Sequence, residues 1–150
     1  SGTGNLTAGS VNAGGGAILQ SAALLQTDTA AARNGNLQVT AGGTISGATG
    51  ARANLAAVGA DKRVIVQSGG SVMLGTVTAG SGATTIPGEQ IGVTGQSVDI
   101  TSAVATNGAL SIDATNGIAR IANGAAQRVI RAIGGTILIG LGARIALDRN

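Results

Sequence analysis

Residues Gly35–Gly50 read GNLQVTAGGTISGATG. Three branched aliphatic side chains, Leu37, Val39 and Ile45, are separated by turn-forming residues, with no charge and no ring among them. Leu37 and Val39 flank Gln38 in the in–out–in alternation of a short strand. Ala41-Gly42-Gly43 then supplies residues that take backbone angles others resist. Such a segment buries only one or two aliphatics per strand, so the core it builds has to be narrow.

The rest of the sequence repeats this design. From Leu37, steps of about 17–19 residues lead to Leu55, Val72, Ile91, Leu110 and Val129, and one step back leads to Leu19. Two residues after the anchors stand Val39, Ala57, Leu74, Val93 and Ile112. A second row half a period away runs through Leu6, Leu25, Ile45 and Val64, and continues through Ile86, Val104, Ile121 and Ile139. Turn clusters such as Gly80-Ser81-Gly82 and Thr106-Asn107-Gly108 lie between the rows. Two ranks of short strands at a fixed period predict an all-β fold, a parallel β-helix or β-solenoid of about 19 residues per coil and seven or eight coils. Coils stacked about 4.8 Å apart would place each row in one inward column.

One domain is expected from 150 residues. Residues 1–128 read as the shaft, and 129–150 as a final coil, cap or assembly segment of the same domain. Arg131 falls where the first row calls for an inward aliphatic, so the register slips or the solenoid ends near it. Helix is the competing reading for two segments. Ala17–Arg33 is rich in helix formers, and Ile130, Ile133, Ile137, Leu141 and Ile145 recur at helical intervals. Four glycines between Gly134 and Gly142 oppose a helix there at about 1 kcal/mol each. Strand is expected in both, with a capping helix at either end left open.

Composition points the same way. The chain holds 27 glycines and one proline, and no Phe, Tyr, Trp, His or Cys. Rings that each bury about 150–250 Å² normally fill wide interiors, so an interior without them is thin and regular. At 43% hydrophobic and 10% charged, the sequence is unlike a disordered one, and glycine does not recur every third residue as in collagen. The uncharged run Ala132–Ala143, bracketed by Arg131 and Arg144, is shorter than the about 20 residues of a membrane helix. No transmembrane span is expected. No signal peptide, transit peptide or initiating Met is visible, and Ser1 suggests a processed or excerpted protein. Nine basic residues against six acidic ones give a net charge of +3. The cations are scattered and lack stacking aromatics, so no nucleic-acid partner is expected.

The residues for catalysis are sparse. Without His or Cys there is no His-based triad, no thiol nucleophile and no ordinary zinc site. Lys62, the only lysine, sits in Asp61-Lys62-Arg63 and belongs to no phosphate-binding loop. The acids are Asp28, Asp61, Glu89, Asp99, Asp113 and Asp148. Neither Asp99 with Asp113 nor Asp28 with Asp61 has a spacing that stacks two carboxylates on neighbouring coils, as glycoside cleavage requires. Catalytic, cofactor and metal sites are therefore all expected to be none. The patterns Thr27-Asp28-Thr29 and Thr76-Val77-Thr78 could belong to a flat threonine face, but copies forty-nine residues apart do not align to one face, so ordinary outward-facing strand threonines are expected. Asn5-Leu6-Thr7 matches the N-glycosylation acceptor pattern.

At GNLTAG (Gly4–Gly9), GNLQVTAGGTI (Gly35–Ile45), SVMLGTVTAGSG (Ser71–Gly82) and GALSIDATNGI (Gly108–Ile118), the sequence resembles the repeat regions of filamentous haemagglutinin-like bacterial surface exoproteins of the two-partner-secretion type. The resemblance covers residues 4–121. It implies a right-handed parallel β-helix, export through an outer-membrane partner, and a secreted or cell-surface role in adhesion, aggregation or biofilm. The specialised secretion domain of that group is not evident, which suggests a segment of shaft. The expected partners are further solenoid ends or flanking coils, and a host or cell-surface glycan. A glycan- or ice-binding solenoid face is the alternative reading, and a polysaccharide-acting β-helix enzyme a lower one.

Overall fold

The computed structural model describes residues 4–82, 84, 86–129 and 137–139. Its strands are β1 (Leu6–Ala13), β2 (Ala17–Ser21), β3 (Leu25–Ala32), β4 (Leu37–Ala41), β5 (Ile45–Ser46), β6 (Ala53–Ala57), β7 (Val64–Ser68), β8 (Ser71–Ala79), β9 (Glu89–Gly95), β10 (Ser97–Ala114), β11 (Ala119–Val129) and β12 (Ile137–Ile139). All belong to one sheet, and every pairing between described residues is parallel. Among the described residues only Ala48–Gly50 forms a helical turn. The Ala17–Arg33 segment is strand, as expected: β2 and β3 place Leu19, Leu25, Thr27, Ala30 and Ala32 inward. Helix propensity of a few tenths of a kcal/mol per residue loses to that burial.

The pairings form three ladders. The first runs Leu6, Leu25, Ile45, Val72, Val98, Ala119, Ile137. The second runs Val11, Ala30, Leu55, Val77, Ala103, Gly124. The third runs Ala17, Leu37, Val64, Ile91, Leu110, Val129. The backbone visits them in the same order each time, so each ladder position defines a level. Levels 1 to 5 span residues 6–21, 25–41, 45–68, 72–95 and 98–114, and level 6 starts at Ala119. Leu25, Leu37, Ile45, Val64 and Ile91 are fully buried, each contributing on the order of 1.5–3 kcal/mol. Leu6, Val11 and Ala17, at level 1, are only partly buried against the same core.

Two expectations need correction. The step is not uniform: along the first ladder it is 19 and 20 residues, then 27 and 26, then 21 and 18. The extra residues leave the ladders as excursions. Gly47–Arg52 interrupts the first ladder between Ile45, which faces Val72, and Ala53, which faces Leu74. Val58–Arg63 and Gly80–Gly88 enlarge the corner between the second and third ladders. A corner loop adds length without moving the paired residues on either side, so register survives while the period does not. The proposed first row is accordingly not one column. Leu37, Ile91, Leu110 and Val129 share the third ladder, Leu55 lies on the second and Val72 on the first. In the second row, Leu6, Leu25 and Ile45 share the first ladder, but Val64 belongs to the third, and Ile86 and Val104 are only partly buried. The cap or assembly role of 129–150, with Arg131, lies outside the described residues except for Val129 and β12, which continues the first ladder beside Ala119–Ile121.

The corner from the third ladder back to the first is made by close backbone stacking. A Cβ on Gly42 would stand 2.1 Å from the Ala22 carbonyl oxygen, and one on Gly69 would stand 2.2 Å from that of Gly42. Only glycine lets three successive levels approach this closely. The Gly42 and Gly69 N–H groups donate to Ser21 O at 3.1 Å and Ala41 O at 3.0 Å.

Candidate functional site

The most elaborate polar cluster is at the enlarged corner between the second and third ladders. Register shifts between Ala109 and Leu110, so that Glu89 faces Ala109 and Ile91 faces Leu110, leaving Gln90 as the extra residue of a β-bulge. The bulge turns Gln90 fully inward. Its Oε1 accepts the N–H groups of Asn107 at 2.8 Å and Gly108 at 3.0 Å, and its Nε2 donates to Ala60 O at 3.1 Å and Lys62 O at 3.2 Å. One amide thus joins levels 3, 4 and 5 with its hydrogen-bonding capacity filled. Asn107 Nδ2 donates to Gly82 O at 3.0 Å, while the buried Asn107 Oδ1 has no hydrogen-bond partner among the described residues. Gly80 closes the cluster at φ +94°, where a Cβ would come 2.3 Å from Asn107 Oδ1 and 2.4 Å from Gln90 Nε2.

Other polar side chains act as shorter axial links. Asn5, Asn36 and Asn54 each accept, through Oδ1, a backbone N–H from the following level: Leu24 at 3.2 Å, Arg63 at 3.0 Å and Thr76 at 2.9 Å. Asp28 Oδ1 accepts Ala48 N–H at 2.8 Å and holds the Gly47–Arg52 excursion. Arg63 donates to the carbonyls of Glu89 and Pro87. Arg52 reaches furthest. It donates to Leu74 O at 3.2 Å and Asp99 O at 3.1 Å, and pairs with Asp99 Oδ2 at 2.7 Å, crossing from level 3 over level 4 to level 5. The hydrogen bond from Arg52 to Asp99 raises the Arg52 pKa above its usual value. Both side chains are more than two-fifths exposed, so the pair itself contributes about 0.2–1 kcal/mol. A double-mutant cycle of Arg52→Ala and Asp99→Ala, read by thermal melting, should give a coupling in that range at low salt, shrinking as salt is raised. A coupling indifferent to salt would show that packing, not charge, joins the two.

The remaining acids stay apart. Asp99 stands on the outer side of the first ladder between Met73 and Arg120, and Asp113 on the outer side of the third beside Thr94. Asp113 Oδ1 is buried without a hydrogen-bond partner among the described residues. Asp61 is exposed and pairs with Lys62 at 3.0 Å, and that hydrogen bond holds its carboxyl below the usual carboxylate range. Because the folded value is lowered, this stabilisation is present at neutral pH and lost as pH falls through the carboxylate range. Asp148 lies outside the described residues. Among the described residues no three acid side chains gather in a metal-holding group, and no helix is long and apolar enough to cross a membrane.

Three of the four threonines, Thr29, Thr76 and Thr78, face outward as expected, while Thr27 does not. Thr29 and Thr76 do lie on one outward line, made of two registered runs: Ser10, Thr29 and Asn54, then Thr76, Ser102 and Asn123. The runs meet across a register shift, where Thr76 N–H donates to Asn54 Oδ1 at 2.9 Å. The Thr29 hydroxyl donates to Ser10 Oγ at 2.9 Å. Thr27, however, is fully buried, its hydroxyl donating to Thr29 O at 3.1 Å. Asp28 and Thr29 are exposed in succession within β3, which breaks the alternation that spacing alone assumes. Thr76 and Thr78 both face out, but Thr78 stands level with Ala56 and Val104, so no second threonine column forms. Asn5, of the glycosylation pattern, is exposed.

Gln90, Asn107, Arg52 and the asparagine links do not stand out in the sequence. Gln90, an uncharged polar residue directly before the strand-like IGV, offers a faint signal; the reach of Arg52 over two levels has none. The arrangement binds the protein to itself along one axis. No family model, curated protein or solved structure matches it.

Proposed function

We propose that the protein is a structural module of a secreted bacterial surface fibre: a right-handed parallel β-helix of seven or eight coils, unequal in length, that supplies rigidity and reach. The reading assigns it a role in adhesion, aggregation or a biofilm matrix, with coils able to stack end to end into filaments, and no catalytic role. The observation that carries it is the first ladder, registered in parallel over seven positions from Leu6 to Ile137. A right-handed winding follows the strong preference of parallel crossover connections, about 98% of which are right-handed. The axial polar links serve the same end, since they resist separation of levels. Resemblance to filamentous haemagglutinin-like repeats supplies the surface and the export route of the proposal.

Purified protein should form filaments whose diffraction carries a meridional spacing of about 4.8 Å, the strand separation. Discrete particles at every protein and salt concentration would count against end-to-end stacking. The uncharged outward line from Ser10 to Asn123 favours, as a second reading, a flat face for neutral glycans or ice. Binding on a glycan array, or shaping of ice crystals, separates that reading from the structural one.

A further inference from the structure

Four Asn-Gly pairs occur in the sequence: Asn34-Gly35, Asn107-Gly108, Asn116-Gly117 and Asn123-Gly124. Such a pair can rearrange without an enzyme. The glycine nitrogen, unhindered by a side chain, attacks the asparagine Cγ. The bond from Cγ to Nδ2 breaks, and Nδ2 leaves as ammonia with the proton given up by the attacking nitrogen. Water then opens either carbonyl of the resulting succinimide ring. The products are aspartate, or isoaspartate with one extra methylene in the backbone. The step requires a glycine N–H free of other bonds and a backbone able to leave extended geometry.

The fold treats the four pairs unequally. Gly108 N–H is held by Gln90 Oε1 at 3.0 Å, Asn107 Nδ2 is held by Gly82 O at 3.0 Å, and Asn107 is buried within β10. Asn123-Gly124 lies inside β11, registered against Ser102 and Ala103. Asn34 and Asn116 are exposed in turns outside the strands, where no hydrogen bond engages Gly35 N or Gly117 N among the described residues. These two differ in room. A Cβ on Gly35 would stand 2.2 Å from Gly16 N and 2.4 Å from Gly16 Cα, backbone lying on backbone, so its turn is clamped. Around Gly117 the nearest atoms to such a Cβ are Gln96 O at 3.0 Å and Ser97 Cβ at 3.1 Å.

We propose that Asn116 is a site of spontaneous deamidation, followed more slowly by Asn34, while the fold protects Asn107 and Asn123. The new carboxylate adds negative charge to an uncharged turn. Isoaspartate would also lengthen the connection between Asn116 N–H, bonded to Gln96 O at 3.1 Å, and Ile118 O, which accepts Val98 N–H at 3.1 Å. Levels 5 and 6 would loosen there first.

The folded protein held at mildly alkaline pH, sampled over days and peptide-mapped with isoaspartate-specific methyl labelling, reports all four sites at once. Conversion should begin at Asn116, lag several-fold at Asn34 and be undetected at Asn107 and Asn123. The same protein in denaturant should convert all four at comparable rates. Asn107 or Asn123 keeping pace with Asn116 in the folded protein would overturn the proposal. So would an Asn116 left intact over the time in which the denatured protein converts.

Discussion

Leu110→Asp is expected to unfold levels 4 to 6 at neutral pH. Leu110 is 2% exposed and stands in the third ladder between Ile91 and Val129. The substitution removes roughly 2–3 kcal/mol of apolar burial. It also places a carboxyl among aliphatic neighbours that offer no partner, which costs several kcal/mol whether the group stays charged or takes up a proton. The total rivals the about 5–15 kcal/mol that holds a typical domain together. Because each level touches mainly its neighbours, damage should spread along the axis. Amide exchange should accelerate in Glu89–Gly95, Ser97–Ala114 and Ala119–Val129 before it does in Leu25–Ala41. Burial raises the folded-state pKa of the introduced carboxyl, so the variant should be least destabilised at acid pH, with stability lost as pH rises through that value. Ser102→Asp, on the outer side of the same strand beside Thr76 and Asn123, should melt close to the unaltered protein. Equal melting for the Leu110 and Ser102 variants would mean that Leu110 does not face the core.

That contrast rests on a distinction the sequence itself carries. Alternation is local, so the inward identity of Leu37, Val39, Leu55, Leu74, Ile91, Val93, Leu110 and Ile112 is legible from neighbours one and two residues away, and all eight are buried. The partner above or below each one depends on how many residues the corners consume. A constant period puts Leu55 and Val72 in the wrong column because Gly47–Arg52 and Val58–Arg63 lengthen level 3, and no fixed step can register an excursion that leaves the ladder. Polar links are harder still to read. Asn36 and Asn54 look like ordinary turn residues, yet each takes the N–H of a residue more than twenty positions on. Arg52 looks like one scattered cation among nine. Only the stack places Asp99 within its reach.

Gln90 is where the irregular levels are locked, and Gln90→Leu is expected to lower the melting temperature by on the order of 10 °C. Levels 3 and 4 are the long ones, so nothing in their length fixes how the Val58–Arg63 and Gly80–Gly88 corners sit relative to Thr106–Gly108 above them. The Gln90 amide does so with four hydrogen bonds. Leucine fills similar space but leaves the buried N–H groups of Asn107 and Gly108 unpaired, at about 1–3 kcal/mol each. The hydrogen bonds to the carbonyls of Ala60 and Lys62 are only part-buried, so losing them costs less. A protein of this size loses roughly 2–4 °C per kcal/mol, which gives the expected shift. Gln90→Glu tests the wiring itself. The new side chain keeps an acceptor for both N–H groups, but it meets the two carbonyl oxygens with a carboxylate in place of the N–H donors. Burial and those oxygens favour the protonated form, raising the folded-state pKa above the unfolded one. The Glu variant should therefore approach the unaltered protein below the unfolded carboxyl value and lose stability as pH rises through the folded one, whereas the Leu variant should show no such added dependence. If both variants melt with the unaltered protein at every pH, the corner is held by backbone pairing alone and Gln90 is a passenger in it.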